Sequence, residues 1–284
     1  MSEYEMNFDA AFGIAGNFTG HLEQAGESAS FAGTEADSGA PKAVFPTYIR
    51  NAAGGIPEFL GTFPFSSSRI VLPAGGQKVQ MEPECAVVFR AIWSEDRLAA
   101  LVPEKFGASD DCSVRKPGAC RISTKKNWGR CSKGLAADMK DIDTLDEGGI
   151  LDSYRIAGLL VRNGKVHVYG EDSAIRDYSC FHGNLARWIT GRMNLQTESG
   201  PAENVGRYMN MAGRPERMMV SIGATRYTPF GESCFLEPGD TAAVILYHED
   251  MYTADDVAGM AAAGYDSLPA DGLSVLVQKV VSPC

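Results

Sequence analysis

The sequence predicts a mostly β protein with a few helices, an α+β chain rather than a helical bundle. Three observations carry this. Glycine at 31 and proline at 14 in 284 residues supply turns at a rate that long helices do not tolerate. Short apolar runs of strand length recur from Ile70 onward, and Asn163-Gly164, a strong hairpin signal, lies between two of them. The best helical pattern is Tyr178 to Met193, where Phe181, Leu185, Trp188 and Ile189 recur at helical spacing.

Taken in order, Phe12 to Ala15 reads as a short strand, followed by a glycine turn and a short helix from Thr19 to Gln24 that carries His21. Residues 28–42, rich in Ser, Ala, Gly and Glu, read as a mobile loop. Phe45 to Ile49 is a strand, after which Gly54, Gly55 and Pro57 interrupt regular structure. Arg69 to Pro73 is short and apolar, and Gln80 to Ile92 is the longest strand expected. Arg155 to Arg162 and Lys165 to Tyr169 flank the Asn-Gly turn. Met218 to Ile222 and Thr241 to Tyr247 are further strands, with Pro238-Gly239-Asp240 turning into the second. Met209, Met211, Met218 and Met219 read as buried core, with a subunit contact as the other possibility.

Composition excludes several classes. Hydrophobic residues at 44% and charged residues at 22% allow a sizeable core. The net charge of -10, from 26 basic and 36 acidic residues, lacks the cationic footprint of a generic nucleic-acid binder. No apolar run approaches the roughly 18 residues of a membrane helix; the longest is Ala242 to Tyr247. Met1 to Ala10 carries Glu3, Glu5 and Asp9 and no basic n-region, so no signal peptide is expected. The seven cysteines are scattered and never spaced Cys-x-x-Cys, as suits reduced thiols in a cytoplasm. A cytoplasmic protein with neither nucleic-acid nor membrane partners is the expectation.

Four segments carry chemistry. In Glu82-Pro-Glu84, residues two apart in a strand share a face, so two carboxylates stand side by side next to an apolar run. A hard cation such as Mg²⁺ or Ca²⁺ would hold such a pair, although a solvated strand end also alternates glutamate. Asp110-Asp111-Cys-Ser-Val-Arg115 offers a third carboxylate, with an arginine to steady it or to clasp an anion; an Asx turn also uses Asp-Asp. Lys133-Gly134 is a lysine in a glycine-bearing loop, ordinary by itself. His21, with Glu23 near it, is a candidate base with an orienting acid, or else a surface histidine. No Gly-x-Ser-x-Gly elbow, P-loop or dinucleotide fingerprint is present.

In their order these segments resemble the fumarylacetoacetate hydrolase superfamily. Asn17-Phe18-Thr19-Gly20-His21 is similar to its Asn-Tyr-x-x-His segment, and Glu82-Pro-Glu84-Cys-Ala-Val-Val88 to its Glu-x-Glu-Leu-Ala-Val-Val strand. Asp110-Asp111-Cys-Ser-Val-Arg115 is similar to Asn-Asp-Val-Ser-Ala-Arg, 27 residues after Glu84, and Lys133-Gly134 to a Lys-(Ser/Gly) loop 22 residues further on. Val220 to Thr225 and Phe235 to Asp240 resemble its Thr-Gly-Thr-Pro loop and Leu-x-Pro-Gly-Asp strand entry. The chain departs from the family in having Gln24 where it has an acid, Phe63-Pro-Phe-Ser-Ser for Phe-Leu-Lys-Pro with Arg69 the nearest cation, Lys116-Pro-Gly after Arg115, and Ile-Gly-Ala-Thr-Arg for the threonine loop.

The resemblance implies a mixed β-sandwich or β-roll core, with residues 1–70 forming an N-terminal segment and 71–284 the catalytic core of one compact unit. It implies Mg²⁺ or Mn²⁺ (Ca²⁺ as a crystal substitute) on Glu82, Glu84 and Asp111. His21, Glu23 and Lys133 take catalytic roles; Arg115, Gly223 and Thr225 bind substrate. The implied reaction is cleavage of a carbon–carbon bond in a small oxo-acid or 1,3-dicarbonyl compound, in a homodimer. Decarboxylase, tautomerase or isomerase chemistry, or binding without turnover, are the alternatives on the same scaffold.

Overall fold

The structure, a computed structural model, describes residues 8–26, 31, 40–116, 119–264 and 271–283. Its strands are, in chain order, β1 (Ala10–Ala15), β2 (Ala43–Ile49), β3 (Phe65–Ser66), β4 (Arg69–Val71), β5 (Val79–Gln80), β6 (Pro83–Ser94), β7 (Arg97–Asp110) and β8 (Ser113–Val114). They continue as β9 (Lys133–Leu135), β10 (Lys140–Asp141), β11 (Tyr154–Arg162), β12 (Lys165–Ala174), β13 (Arg217–Ala224), β14 (Thr241–His248) and β15 (Leu273–Val281). The α-helices are α1 (His21–Gln24), α2 (Ser123–Lys126), α3 (Gly183–Leu195), α4 (Val205–Met211), α5 (Pro229–Ser233) and α6 (Ala254–Ala263).

One sheet runs β2-β1-β13-β6-β7-β9-β3, with β10 added to β7; β1–β13 and β3–β9 are parallel and the other pairs antiparallel. The second runs β12-β11-β14-β15-β4 and is parallel only at β15–β4. Val87, Phe89 and Phe106 of the first sheet share one buried core with Leu160, Val244 and Leu276 of the second, so the two sheets form the expected mixed sandwich. Leu185, Ile189 and Met193 of α3 join that core, as their helical spacing requires. Val257 and Ala261 of α6 cover the outer face of the second sheet over Ala243 and Ile245. Both faces of β14 are therefore buried, which is why its sequence is continuously apolar rather than alternating.

The α+β class, the Asn163-Gly164 hairpin and the strands near Phe12, Phe45, Ile70, Met218 and Thr241 are all found. Asn163 and Gly164 have φ of 52° and 74°, the double positive φ of a type I′ turn. Three of the differences from expectation have a local cause. Gln80 to Ile92 is not one strand: Pro83 has no N–H to continue the ladder and the Glu82 amide turns to Asp110 Oδ1 at 2.9 Å, so β5 and β6 separate. The longest strand is β7, at 14 residues; Pro103 inside it reads as a breaker but sits at a register shift opposite Phe89. The helix begins at Gly183 rather than Tyr178, because His182 before it has a φ of 55°. β7 and β15 lie outside the predicted elements.

Of the methionine cluster, Met209, Met218 and Met219 are buried and Met211 is exposed. Most of the loop expected at 28–42, and Pro117-Gly118 of the departure after Arg115, lie outside the described residues. Cys85, Cys112, Cys131, Cys180 and Cys234 are free thiols. Among the described residues no helix is long and apolar enough to cross a membrane.

One close approach ties the sheets together at the carboxylate pair. Gly158 of β11 faces Pro83, and a Cβ there would lie 2.3 Å from the proline ring. Gly158→Ala is expected to cost about 1–3 kcal/mol by overpacking and to displace the chain between Glu82 and Glu84. Urea unfolding measures this, and an unchanged midpoint would contradict the contact.

Candidate active site

The β6–β7 hairpin explains how carboxylates 27 residues apart in sequence meet. Pro83 pairs with Asp110 and Glu84 with Ser109, and the Asp111 amide donates to the Glu82 carbonyl at 3.0 Å. Glu82 and Glu84 flank Pro83 on one face of the strand, as period-two geometry dictates. Oxygens of Glu82, Glu84 and Asp111 lie within 4.8 Å of one another, and the three residues are 4%, 2% and 1% exposed. Three buried carboxylates this close form the oxygen-rich donor set that a hard divalent cation takes.

Cations already surround them. Lys133, fully buried at the start of β9, places Nζ 2.5 Å from Asp111 Oδ1 and donates to the Cys112 carbonyl. Arg115 Nη2 donates to Glu82 Oε1 at 2.9 Å and to the Tyr227 hydroxyl at 2.6 Å, and its Nε to Gln80 Oε1. The third cation is one that sequence reasoning missed. Lys126, at the end of α2, reaches in with Nζ 2.5 Å from Glu82 Oε2, 2.6 Å from Asp111 Oδ2 and 3.1 Å from the Asp111 carbonyl. At the Asp111 carboxylate the two ammonium groups stand at ion-pair distance without hydrogen-bond alignment.

The charges divide the carboxylates into two kinds. Burial pushes Glu82 up, but Lys126 and Arg115 outweigh it and hold its carboxyl well below the usual range. Glu84 goes the other way: burial, and then the negative charge of Asp111, push it well above that range, although its Oε2 accepts the Gly223 amide at 2.9 Å. Burial also raises Asp110 to about 6.

His21 is brought to the site and Glu23 is not. His21 is 5% exposed and its Nδ1 lies 2.8 Å from the Thr225 carbonyl oxygen. Glu23 points to solvent, because residues two apart fall on opposite sides of a helix as short as α1. The expected His21–Glu23 pair is thus not formed. Gln24, in the place of the family's acid, instead exchanges two hydrogen bonds with the Tyr227 backbone and pins α1 to the loop after β13. A carbonyl can only accept, so Nδ1 carries the proton and Nε2 is left as the basic nitrogen. Burial lowers the affinity of the ring for a second proton.

Of the residues expected to bind substrate, two are engaged within the protein. Arg115 pairs with Glu82, and the Gly223 amide is committed to Glu84; a φ of 123° and an approach to Asn17 that leaves no room for a Cβ make glycine necessary there. The Thr225 hydroxyl is buried without a hydrogen-bond partner. A cavity of about 20 Å³ is lined among others by His21, Glu82, Glu84, Phe45 and Lys126. That is room for about one water.

Comparison with solved structures gives the fold its relatives. Cg1458, solved with an inhibitor, superposes with a TM-score of 0.56 at 17% identity over 96% of this chain and 77% of its own. A fumarylacetoacetate hydrolase family protein from Yersinia pestis CO92 gives 0.53 at 13% identity over 99% and 96%. A 2-keto-3-deoxy-D-arabinonate dehydratase, complexed with magnesium and 2,5-dioxopentanoate, gives 0.50 at 13% over 97% and 74%. No curated protein matches the sequence. The family of unknown function DUF5718 matches residues 27–280. The chain therefore belongs to DUF5718 and has the fold of the fumarylacetoacetate hydrolase superfamily.

Proposed function

We propose that the chain is an enzyme of the fumarylacetoacetate hydrolase type that cleaves a carbon–carbon bond in a small oxo-acid or 1,3-dicarbonyl compound. One observation carries the reading: His21, Glu82 and Glu84 line the same small cavity, with Asp111 beside the two glutamates. Glu82, Glu84 and Asp111 are the residues that would hold Mg²⁺ or Mn²⁺, and the donor chemistry fits either ion. Such an ion supplies Lewis acidity toward adjacent oxygens of a bound substrate. The magnesium in the arabinonate dehydratase complex, a protein of the same fold, supports the choice.

The chain's own groups do the rest. His21 Nε2 takes a proton from water, while the Thr225 carbonyl fixes the tautomer that leaves this nitrogen basic. Lys133 fixes Asp111 and keeps a positive charge beside the place where negative charge develops. The Thr225 hydroxyl, lacking a partner, offers a hydrogen bond to a substrate carboxylate.

The test is a turnover screen of oxaloacetate and acylpyruvates with Mn²⁺. Wild-type protein turns over at least one, and His21→Asn loses about 10²- to 10⁴-fold in kcat with Mn²⁺ affinity unchanged. Full activity in His21→Asn removes the histidine from the mechanism, and no turnover on any of these compounds removes the reaction. Decarboxylation or isomerisation on the same site is recognised by its product in NMR.

A further inference from the structure

Lys126 lies among the atoms that a divalent ion would need. Its Nζ is within 2.5–2.6 Å of Glu82 Oε2 and Asp111 Oδ2, two of the three carboxylates that make the cation site. An ammonium and a metal ion compete for the same lone pairs there. Lys126, Lys133 and Arg115 already pair with Glu82 and Asp111, so these two carboxylates are compensated without an ion. A doubly charged ion added with Lys126 in place would put unlike amounts of charge in a site almost closed to water.

The placement of Lys126 is built. α2 is tied on one side by the Ser123 amide to buried Glu203. On the other, the Asn127 side chain donates to the carbonyls of Thr47, Phe59 and Thr62. The Lys126 ammonium also lies 5.3 Å from the centre of the Phe45 ring, an aromatic face that lines the same cavity and attracts cations.

We propose that Lys126 is a tethered cation that occupies the carboxylate cluster and must withdraw before a divalent ion binds. This rests on reading the carboxylates as the cation site. The ammonium lowers metal affinity by the fraction of time it is withdrawn. Withdrawal for less than about a tenth of the time weakens the apparent affinity by about tenfold or more. The lysine can be removed without stranding a carboxylate, since Glu82 keeps Arg115 and Asp111 keeps Lys133.

Isothermal titration with MnCl₂ on the wild type, Lys126→Met and Lys126→Gln tests this. Both variants are expected to bind Mn²⁺ about tenfold or more tightly than the wild type, and adding Glu84→Gln to either removes that binding. Wild-type affinity equal to that of both variants overturns the tethered cation and leaves the metal reading standing. Absence of Mn²⁺ binding in all three folded proteins overturns the metal reading, and the tethered cation with it. A wild-type crystal soaked in Mn²⁺ gives a readout that does not depend on the variants folding. An ion on the carboxylates with Nζ withdrawn from Glu82 and Asp111 supports the proposal, and an ion with Nζ still between them refutes it.

Discussion

Replacing Asp111 with alanine is expected to cost about 3–5 kcal/mol of folding stability, a large share of what holds any domain together. The reason is what the substitution leaves behind. Lys133 is fully buried and its ammonium lies 2.5 Å from Asp111 Oδ1; Lys126, 5% exposed at the side chain, lies 2.6 Å from Oδ2. Without the carboxylate two positive charges remain in a nearly dry site, with Glu82 beside Lys126 and a backbone carbonyl near each ammonium. An unpaired buried charge cannot recover its hydration without opening the structure. Asp111→Asn keeps a carbonyl oxygen for one ammonium and should lose less than the alanine variant. Equilibrium unfolding in urea measures both. An Asp111→Ala protein as stable as the wild type would show that the two lysines are hydrated and that the packed cluster does not exist in solution.

That cluster was only half legible in the sequence. Glu82 and Glu84 were readable because period-two geometry and an apolar strand are local features, and Asp111 because a resemblance joined it to them. The hairpin that closes the gap was not, since β7 mixes exposed Arg97, Ala99 and Lys105 with buried Phe106 and contains Pro103. His21 was found, but its partner was not. The local acid, Glu23, faces water, and the true partner is a backbone carbonyl 204 residues away, which no side-chain pattern announces. Lys126 left no trace at all. It stands beside Lys125, chemically identical and half-buried, and only the fold tells that lysine from the buried one. Residues that act through contacts distant in sequence carry no periodic signature, whereas residues that must share a strand face do.

Glu84→Gln separates folding from chemistry at the same cluster. In the ion-free protein, burial and Asp111 push the Glu84 carboxyl well above its ordinary range, so the side chain favours its neutral form. A glutamine is neutral too, and its carbonyl oxygen can accept the Gly223 amide that Glu84 Oε2 accepts at 2.9 Å. Stability below about pH 4.5, where the carboxyl is neutral in the folded and in the unfolded chain, should therefore change by no more than about 1 kcal/mol. The pH dependence gives the sign. A carboxyl whose folded value is raised contributes stability that is full below its ordinary 4.5 and is lost as pH rises through the raised value, a loss that glutamine does not suffer. The stability of the variant relative to the wild type should accordingly increase as pH is raised above about 4.5. Binding of a divalent ion asks the opposite of this residue, because an anionic oxygen is what a hard cation takes and an amide is a poor substitute. Mn²⁺ affinity should collapse, and turnover of any oxo-acid substrate should fall by about 10²- to 10³-fold or more. Calorimetry, urea unfolding across pH and a single turnover assay read the three effects separately. A Glu84→Gln protein that binds Mn²⁺ as the wild type does would take Glu84 out of the ligand set, whatever its stability.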